Sequence, residues 1–389
     1  MEGMILVARK KKRRISVKKI SRLVVCTVII FVILFNINNI RKLYISKTTG
    51  YNMDSVSVFL ENDIYNIIKE YDYSETLEVI LDTEYYNEKY IKEYVDINYL
   101  KDDLFIKNVS LLLDKGYSSN DINSIYSVLN NESINILLSN NYIEDIANLV
   151  SIEYFHEDNL KRYIKYYEEK TLDVETIVTY VNIGLDNDYY TNVIDIEDQD
   201  SITVLVNKYN KLQSDYVPSS LKTVSSKYGT GKMQTEAADA FEEMCAAAKE
   251  ENITLYGGSG YRSYSYQQNL YNRYALQDGK EEADTYSARA GYSEHQTGLA
   301  MDVMNGRWEY IDEDDKEYTW LINNSYKYGF ILRYLKGKEE ITGYVYEPWH
   351  YRYVGVELAT EITNLGITYD EYVAKNSWQK AYVIIKLYT

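Results

Sequence analysis

Two short runs in the second half of the sequence combine residue types that bind metals. The first reads Ser-Glu-His-Gln-Thr-Gly-Leu-Ala-Met-Asp and ends at Asp302; the second reads Glu-Pro-Trp-His and ends at His350. Together they supply His295, Asp302 and His350, a set of two imidazoles and one carboxylate that leaves tetrahedral zinc a free position for water. Glu347 lies close enough in sequence to deprotonate that water. This pattern is typical of a zinc hydrolase.

The distribution of histidine strengthens that interpretation. A histidine beside an acidic residue is more often a hydrogen-bonded structural pair than a ligand, so either run alone is weak evidence. The chain has three histidines, and two of them fall in these runs. The third, His156, lies in a charged stretch and is interpreted as structural or solvent-facing.

The residues between the first histidine and the aspartate predict a strand. Gly298 weakens a helix at this point. Residues 299–303 alternate in the strand sense, so Leu299, Met301 and Val303 should face a core while Asp302 points the other way. A carboxylate projected from a rigid strand suits a metal ligand.

The second run predicts extended or turn geometry. Pro348 pushes the residue before it toward extended backbone. We therefore expect Glu347 and His350 on a strand or turn, and not on a helix of the His-Glu-x-x-His kind.

Two further elements should position the site. An Ala-rich, Glu-containing stretch from Met233 to Lys249 predicts a helix. It is followed by a predicted strand from Ile253 to Tyr256, which should deliver residues 259–263 to the site.

At these residues the chain resembles the VanY-type D-alanyl-D-alanine carboxypeptidases, part of a wider zinc peptidase group with the lysostaphin and hedgehog folds. The resemblance covers about residues 201–375. Besides the two metal runs, the motifs that carry it are Leu-Val-Asn-Lys-Tyr-Asn (205–210), Asp-Tyr-Val-Pro (215–218), Ser-Gly-Tyr-Arg-Ser (259–263) with Gln268, Lys-Tyr-Gly-Phe-Ile-Leu-Arg-Tyr (327–334) and Ile-Thr-Gly-Tyr (341–344). One departure is Ala290, which stands where the family usually has proline.

The resemblance implies a division of roles among the site residues. It implies Zn²⁺ ligands at His295, Asp302 and His350, a catalytic base at Glu347, and substrate contacts at Arg262, Gln268 and Ser293. A carboxypeptidase needs a cation such as Arg262 for the terminal carboxylate of the substrate or for the developing oxyanion. The sequence leaves both roles for Arg262 open.

The activity implied is that of a zinc metallo-carboxypeptidase, not a serine-type enzyme. The expected reaction is D,D-carboxypeptidase hydrolysis, which removes the terminal D-Ala of peptidoglycan stem peptides or precursors. One alternative is an L,D-carboxypeptidase or endopeptidase acting on the same polymer at the same site. Another, from a different class, is a non-catalytic wall-binding scaffold whose helical region carries the function.

The N-terminal segment predicts a membrane anchor. Nine Lys or Arg residues lie between Arg9 and Arg22, and an uncharged, largely apolar run follows from Leu23 to Phe35. A cleaved secretory signal is the competitor, but no small-x-small pattern follows the run. We therefore predict a basic cytoplasmic tail over 1–22, an uncleaved transmembrane anchor over 23–40, and an extracytoplasmic remainder on a bacterial cell membrane.

Charge and cysteine content restrict the partners. The net charge is −17, yet residues 1–50 hold twelve Lys or Arg and one acidic residue, so the remainder carries 30 basic and 58 acidic residues. This excludes a general attraction to nucleic acid. Cys26 lies in the anchor and Cys245 is alone beyond it, so no disulfide can form within the exported part.

The region over 41–200 predicts an all-α, repeat-like structure. Ile122, Ile125 and Leu129 share a helical face, after Gly116 as a helix stop and a capping box at 118–121. Leu112, Leu113 and Tyr117 return 25 residues later as Leu137, Leu138 and Tyr142. We interpret the region as a spacer, with a surface for an unknown protein partner as the alternative. Both prolines fall beyond residue 200, which places an α+β peptidase domain, an antiparallel sheet with flanking helices, at 201–389.

Overall fold

The computed structural model describes residues 17–376. The chain divides into two compact units, one up to Ala147 and the other from Asn148. Most of the predicted basic tail, and the last residues of the predicted peptidase domain, lie outside the described residues.

The first element is one long apolar helix, Val17–Thr49 (α1). Of the described residues, Lys18–Thr49 form the stretch that has the length and composition to cross a membrane, features that a signal sequence near an N-terminus shares. A helix of this length measures roughly 50 Å, against roughly 30 Å for the hydrocarbon core of a bilayer. The predicted span over 23–40 lies inside it.

The rest of the first unit is helical. Its helices are Met53–Glu61 (α2), Tyr65–Ile68 (α3), Glu75–Ile80 (α4), Ile91–Asp96 (α5), Phe105–Lys115 (α6), Ser119–Val128 (α7) and Asn131–Ser139 (α8), with a 3₁₀ turn at Glu88–Tyr90. The predicted stop and capping box are confirmed, because Gly116 ends α6 in the left-handed conformation and Ser118 and Asp121 cap α7 reciprocally. Helix Ile146–Val150 (α9) contains the point of division.

The two copies of the 25-residue spacing differ in environment. Leu112, Leu113 and Tyr117 are buried. In the second copy Leu137 is buried, whereas the Tyr142 side chain is 45% exposed. The predicted repeat therefore stays a prediction.

The second unit mixes helices with short sheets. Its helices are Leu160–Glu169 (α10), Val174–Ile183 (α11), Thr235–Glu250 (α12), Tyr264–Asp278 (α13), Lys280–Tyr286 (α14), Lys316–Asn324 (α15), Glu339–Thr342 (α16) and Val356–Leu365 (α17), and residues 369–376 are also helical. Its 3₁₀ turns are Glu157–Asn159, Glu294–Thr297 and Ser325–Tyr328. Its strands are Ile194–Asp195 (β1), Asn210–Lys211 (β2), Leu221–Thr223 (β3), Lys232–Gln234 (β4), Tyr256–Ser259 (β5), Ala300–Met304 (β6), Phe330–Leu332 (β7) and His350–Tyr353 (β8).

A four-stranded sheet in the order β5-β6-β8-β7 organises this unit. All three of its strand pairs are antiparallel, as predicted. In the central pair, Asp302 on β6 lies directly opposite His350 on β8. Directly opposed residues place their side chains on the same face of a sheet, about 5 Å apart.

The other face of β6 builds the core. Leu299, Met301 and Val303 are fully buried in a cluster with α12 residues such as Phe241. The alternation predicted from the sequence is confirmed, because Asp302 points to the opposite face.

Two predicted boundaries are wrong by two or three residues. The strand predicted from Ile253 begins at Tyr256, because Tyr256 pairs with Met304, the last residue of β6, and nothing further along β6 is left to pair with residues 253–255. The helix predicted from Met233 begins at Thr235, because Met233 is a β4 residue paired with β3.

Candidate active site

His295 is held by a short, tightly closed turn. It lies in the 3₁₀ turn Glu294–Thr297, which Gly298 ends with φ +68°. A Cβ on Gly298 would meet the backbone nitrogen of Gln234 at 3.1 Å, so both the conformation and the space favour glycine. The ring nitrogen Nδ1 of His295 lies 2.8 Å from the carbonyl oxygen of Gly260, which turns Nε2 toward the site.

The other candidate residues come from β6, β8 and the turn before β8. Glu347 precedes this turn, and the backbone N–H of His350 donates to its carbonyl at 3.2 Å. The predicted non-helical geometry of this run is confirmed, since Pro348 and Trp349 form a turn and His350 opens β8.

Three ligand atoms converge. The distance from Asp302 Oδ1 is 3.3 Å to His295 Nε2 and 3.2 Å to His350 Nδ1. Among the described residues these three side chains are the group that could hold a metal ion, with ligand atoms within 4.8 Å of one another. Asp302 Oδ1 is buried without a hydrogen-bond partner. An orphaned carboxylate oxygen facing two imidazole nitrogens fits a metal ion, because a buried polar atom without a partner is otherwise costly.

Each ligand side chain is also held on the side away from the metal position. Arg262 donates from Nη2 to Asp302 Oδ2 at 2.5 Å and from Nε to Ser259 Oγ at 2.9 Å. His350 Nε2 lies 3.3 Å from the Glu294 carboxylate. Such contacts fix the orientation and tautomer of metal ligands.

Burial and the neighbouring charged groups together set the proton affinity of the carboxyl and imidazole groups. It raises the pKa of Glu347 to about 7, although the charge of His350 opposes this. Burial would lower the pKa of His350, but the nearby carboxylates of Asp302 and Glu294 raise it to about 9. Burial would likewise raise the pKa of Asp302, yet His295 and Arg262 hold it well below its usual range. Without a metal the centre therefore favours a carboxylate at Asp302 and a proton on His350.

The centre opens into a cavity of about 440 Å³. Arg262 and Ser293 line it together with Glu347 and the three candidate metal ligands. Gln268 does not: it is exposed on α13, and its neighbour Gln267 lines the cavity and donates to the carbonyl of Ala288 at 2.7 Å. The substrate contact at Gln268 therefore stays a prediction, and Gln267 is the residue of this pair that faces the cavity, since neighbouring side chains on a helix point about 100° apart.

Sequence reasoning missed Glu294. Its carboxylate is fully buried beside His350 and two arginines, Arg333 and Arg352. The sequence evidence for a role of Glu294 was its position next to His295. The arginines that compensate its buried charge lie 39 and 58 residues away in sequence, so the pairing was not visible there. Trp349 also lines the cavity.

Comparison with known proteins identifies the family. The sequence profile of VanY, D-alanyl-D-alanine carboxypeptidase, matches residues 230–356. The Bacillus subtilis protein YodJ is 37% identical over 225 residues, which cover 54% of this chain and 82% of YodJ. The chain belongs to the VanY family. A D-alanyl-D-alanine carboxypeptidase of Enterococcus faecalis is 35% identical over 46% of this chain and 67% of its own length.

Solved structures similar to this VanY-family chain include an L,D-carboxypeptidase and a D-Ala-D-Ala complex. The LdcB LD-carboxypeptidase is 38% identical, with a TM-score of 0.46, over 49% of this chain and 94% of that one. VanYB in complex with D-alanine-D-alanine is 34% identical, with a TM-score of 0.40, over 44% of this chain and 96% of that one.

Proposed function

We propose that this chain is a zinc-dependent D,D-carboxypeptidase that removes the terminal D-Ala of peptidoglycan stem peptides or their precursors. The observation that carries the proposal is the convergence of His295, Asp302 and His350 around an orphaned carboxylate oxygen, beside Glu347, in a VanY-family chain. Two neutral imidazoles and one carboxylate leave a bound zinc ion with a net positive charge, which suits hydrolysis.

Zinc, when bound, supplies Lewis-acid polarisation of the scissile carbonyl and acidifies a water molecule. Glu347 is the base. Its carboxylate Oε2 lies 3.5 Å from His350 Nδ1, next to the metal position. Because burial raises its pKa to about 7, Glu347 can accept a proton from water near neutral pH and return it to the departing amine.

Arg262 has two tasks in this proposal. Its contact with Asp302 Oδ2 fixes that ligand, and its side chain is 19% exposed at the cavity. A guanidinium has five N–H donors, so Arg262 can also bind the terminal carboxylate of the substrate or the developing oxyanion. Ser293 and Gln267 offer uncharged hydrogen-bonding groups in the same cavity.

We further propose that the enzyme is anchored in a bacterial cell membrane, with the catalytic unit outside the cell. The support is α1 together with the excess of Lys and Arg before its apolar part. Residues 41–200 then form the spacer ahead of a peptidase domain at 201–389.

The test is a digest of purified muropeptides with the full-length chain in detergent. We expect pentapeptides to become tetrapeptides, a reaction that a chelator stops and that Glu347→Gln abolishes while zinc content stays stoichiometric. Tripeptide products from tetrapeptides would replace this proposal with L,D-carboxypeptidase activity, and cleaved cross-links would replace it with endopeptidase activity. Absence of zinc from the purified chain, or full activity of Glu347→Gln, would overturn the mechanism and favour a non-catalytic scaffold.

A further inference from the structure

The Glu294 carboxylate lies at the centre of a buried group of charges behind the metal-ligating set. Its Oε1 accepts hydrogen bonds from Arg333 Nε at 2.7 Å and Arg352 Nη1 at 3.0 Å. Its Oε2 lies 3.3 Å from His350 Nε2. The side chains of Glu294 and Arg352 are completely buried, and that of Arg333 is 1% exposed.

The two arginines are themselves immobilised. Arg333 Nη1 donates to Asp370 Oδ2 at 2.6 Å, and Asp370 Oδ1 accepts from Asn207 at 2.8 Å. Arg352 Nη2 donates to the carbonyls of Ile202 and Val204, at 3.0 and 2.7 Å. The charges of the two carboxylates and two guanidiniums sum to zero. Displacement of any one side chain would leave an uncompensated buried charge, so all four are held in place.

Stability alone is a poor explanation for such a group. Desolvating an ion pair costs several kcal/mol per ion, and apolar replacements of buried ion pairs are often neutral or stabilising. A buried carboxylate that two arginines hold rigidly can, however, fix the orientation of a further side chain that it contacts. Its one remaining contact among those described is the ring of His350.

We propose that Glu294 is a positioning residue, which fixes the ring and tautomer of His350 so that Nδ1 faces the metal. A neutral imidazole carries one N–H, and a carboxylate beside Nε2 favours the N–H at that nitrogen. The lone pair of Nδ1 is then directed at the position shared with Asp302 Oδ1, 3.2 Å away. The role rests on the metal-binding function proposed for His350.

The two histidines differ in this respect. His295 Nδ1 is oriented by the neutral carbonyl of Gly260, and its Nε2 faces the metal position. His350 is oriented by a charged carboxylate, which increases the basicity of a ligand as well as fixing it. Glu294 therefore makes His350 the stronger donor of the pair.

The experiment distinguishes a role of Glu294 in orienting His350 from a role in stabilising the fold. Glu294→Asp keeps the negative charge between the arginines but shortens the side chain by one methylene, which withdraws the carboxylate from His350. Glu371→Asp is the matched control, because Glu371 is buried, pairs with Lys338 at 3.0 Å and contacts no metal-ligating residue among its described partners. Zinc affinity is measured by chelator competition, ligand geometry by the visible spectrum of the Co²⁺-substituted full chain, and folding by urea denaturation.

We expect Glu294→Asp to weaken zinc binding by roughly 10- to 100-fold and to shift the Co²⁺ spectrum, while the control binds zinc as wild type does. An affinity within twofold of wild type with an unchanged spectrum would overturn the inference. If Glu294→Asp does not fold, the milder Asp370→Asn replaces it; a several-fold loss of zinc affinity supports the inference and wild-type affinity overturns it. Failure of the proposed function would give a different result, because the wild-type chain itself would then lack carboxypeptidase activity or zinc.

Discussion

Glu347 should destabilise the metal-free protein in a pH-dependent way. Its carboxyl is buried, which raises its pKa from 4.5 in a solvated chain to about 7 in the folded protein. The unfolded chain therefore loses its proton at lower pH than the folded chain does. Protonated Glu347 leaves the folded protein at its full stability below about pH 4.5. Part of that stability is lost as the pH rises toward about 7, because the carboxyl then ionises in the unfolded chain while the buried one still holds its proton.

The magnitude follows from the two pKa values. Ionised Glu347 lowers the free energy of unfolding by roughly 3 kcal/mol at pH 8 and by roughly 1 kcal/mol at pH 5. Glu347→Gln cannot ionise and is close in shape. Relative to wild type, the variant should therefore gain roughly 2 kcal/mol of stability between pH 5 and pH 8.

The assay is urea denaturation of chelator-treated full-length protein, followed by tryptophan fluorescence. The tryptophans among the described residues, Trp308, Trp320 and Trp349, lie in the unit that begins at Asn148, so their signal reports the catalytic unit. A difference of this size moves the urea midpoint by roughly 1 M. Equal differences between variant and wild type at pH 5 and pH 8 would refute the reasoning, because they would mean that the Glu347 carboxyl is not desolvated.

Three further predictions concern the metal and its supports. Zinc affinity, measured by chelator competition, should rise about tenfold per pH unit below about pH 9, because His350 must release its proton first; an affinity independent of pH would contradict this. Arg262→Lys should lower kcat/KM by at least about tenfold with the fold intact, since an ammonium cannot hold Asp302 and Ser259 in the same fork geometry; wild-type kinetics would show that the fork is dispensable. Gly298→Ala should destabilise the catalytic unit by about 1–3 kcal/mol in urea denaturation, because it forces φ +68° on a residue with a Cβ; an unchanged midpoint would mean that the turn relaxes.

The candidate metal-ligating residues and the strand that carries Asp302 could be picked out from the sequence because the information is local. The alternation of residues 299–303 fixes which face Asp302 occupies, and Pro348 excludes a helix at the second run. The role of Glu294 could not be predicted, because its arginine partners are distant in sequence and meet it only through the sheet. The choice between Gln267 and Gln268 likewise depends on the rotation of α13, which the motif alone does not specify.

The direct opposition of Asp302 and His350 across β6 and β8 links metal binding to the pairing of the strands. A slip of one residue would turn one of the two side chains to the opposite face of the sheet and dismantle the donor set. A misregistered chain would thus be unable to bind the ion, while the native pairing is stabilised by it. Metal availability during folding would then favour molecules whose strands are correctly aligned.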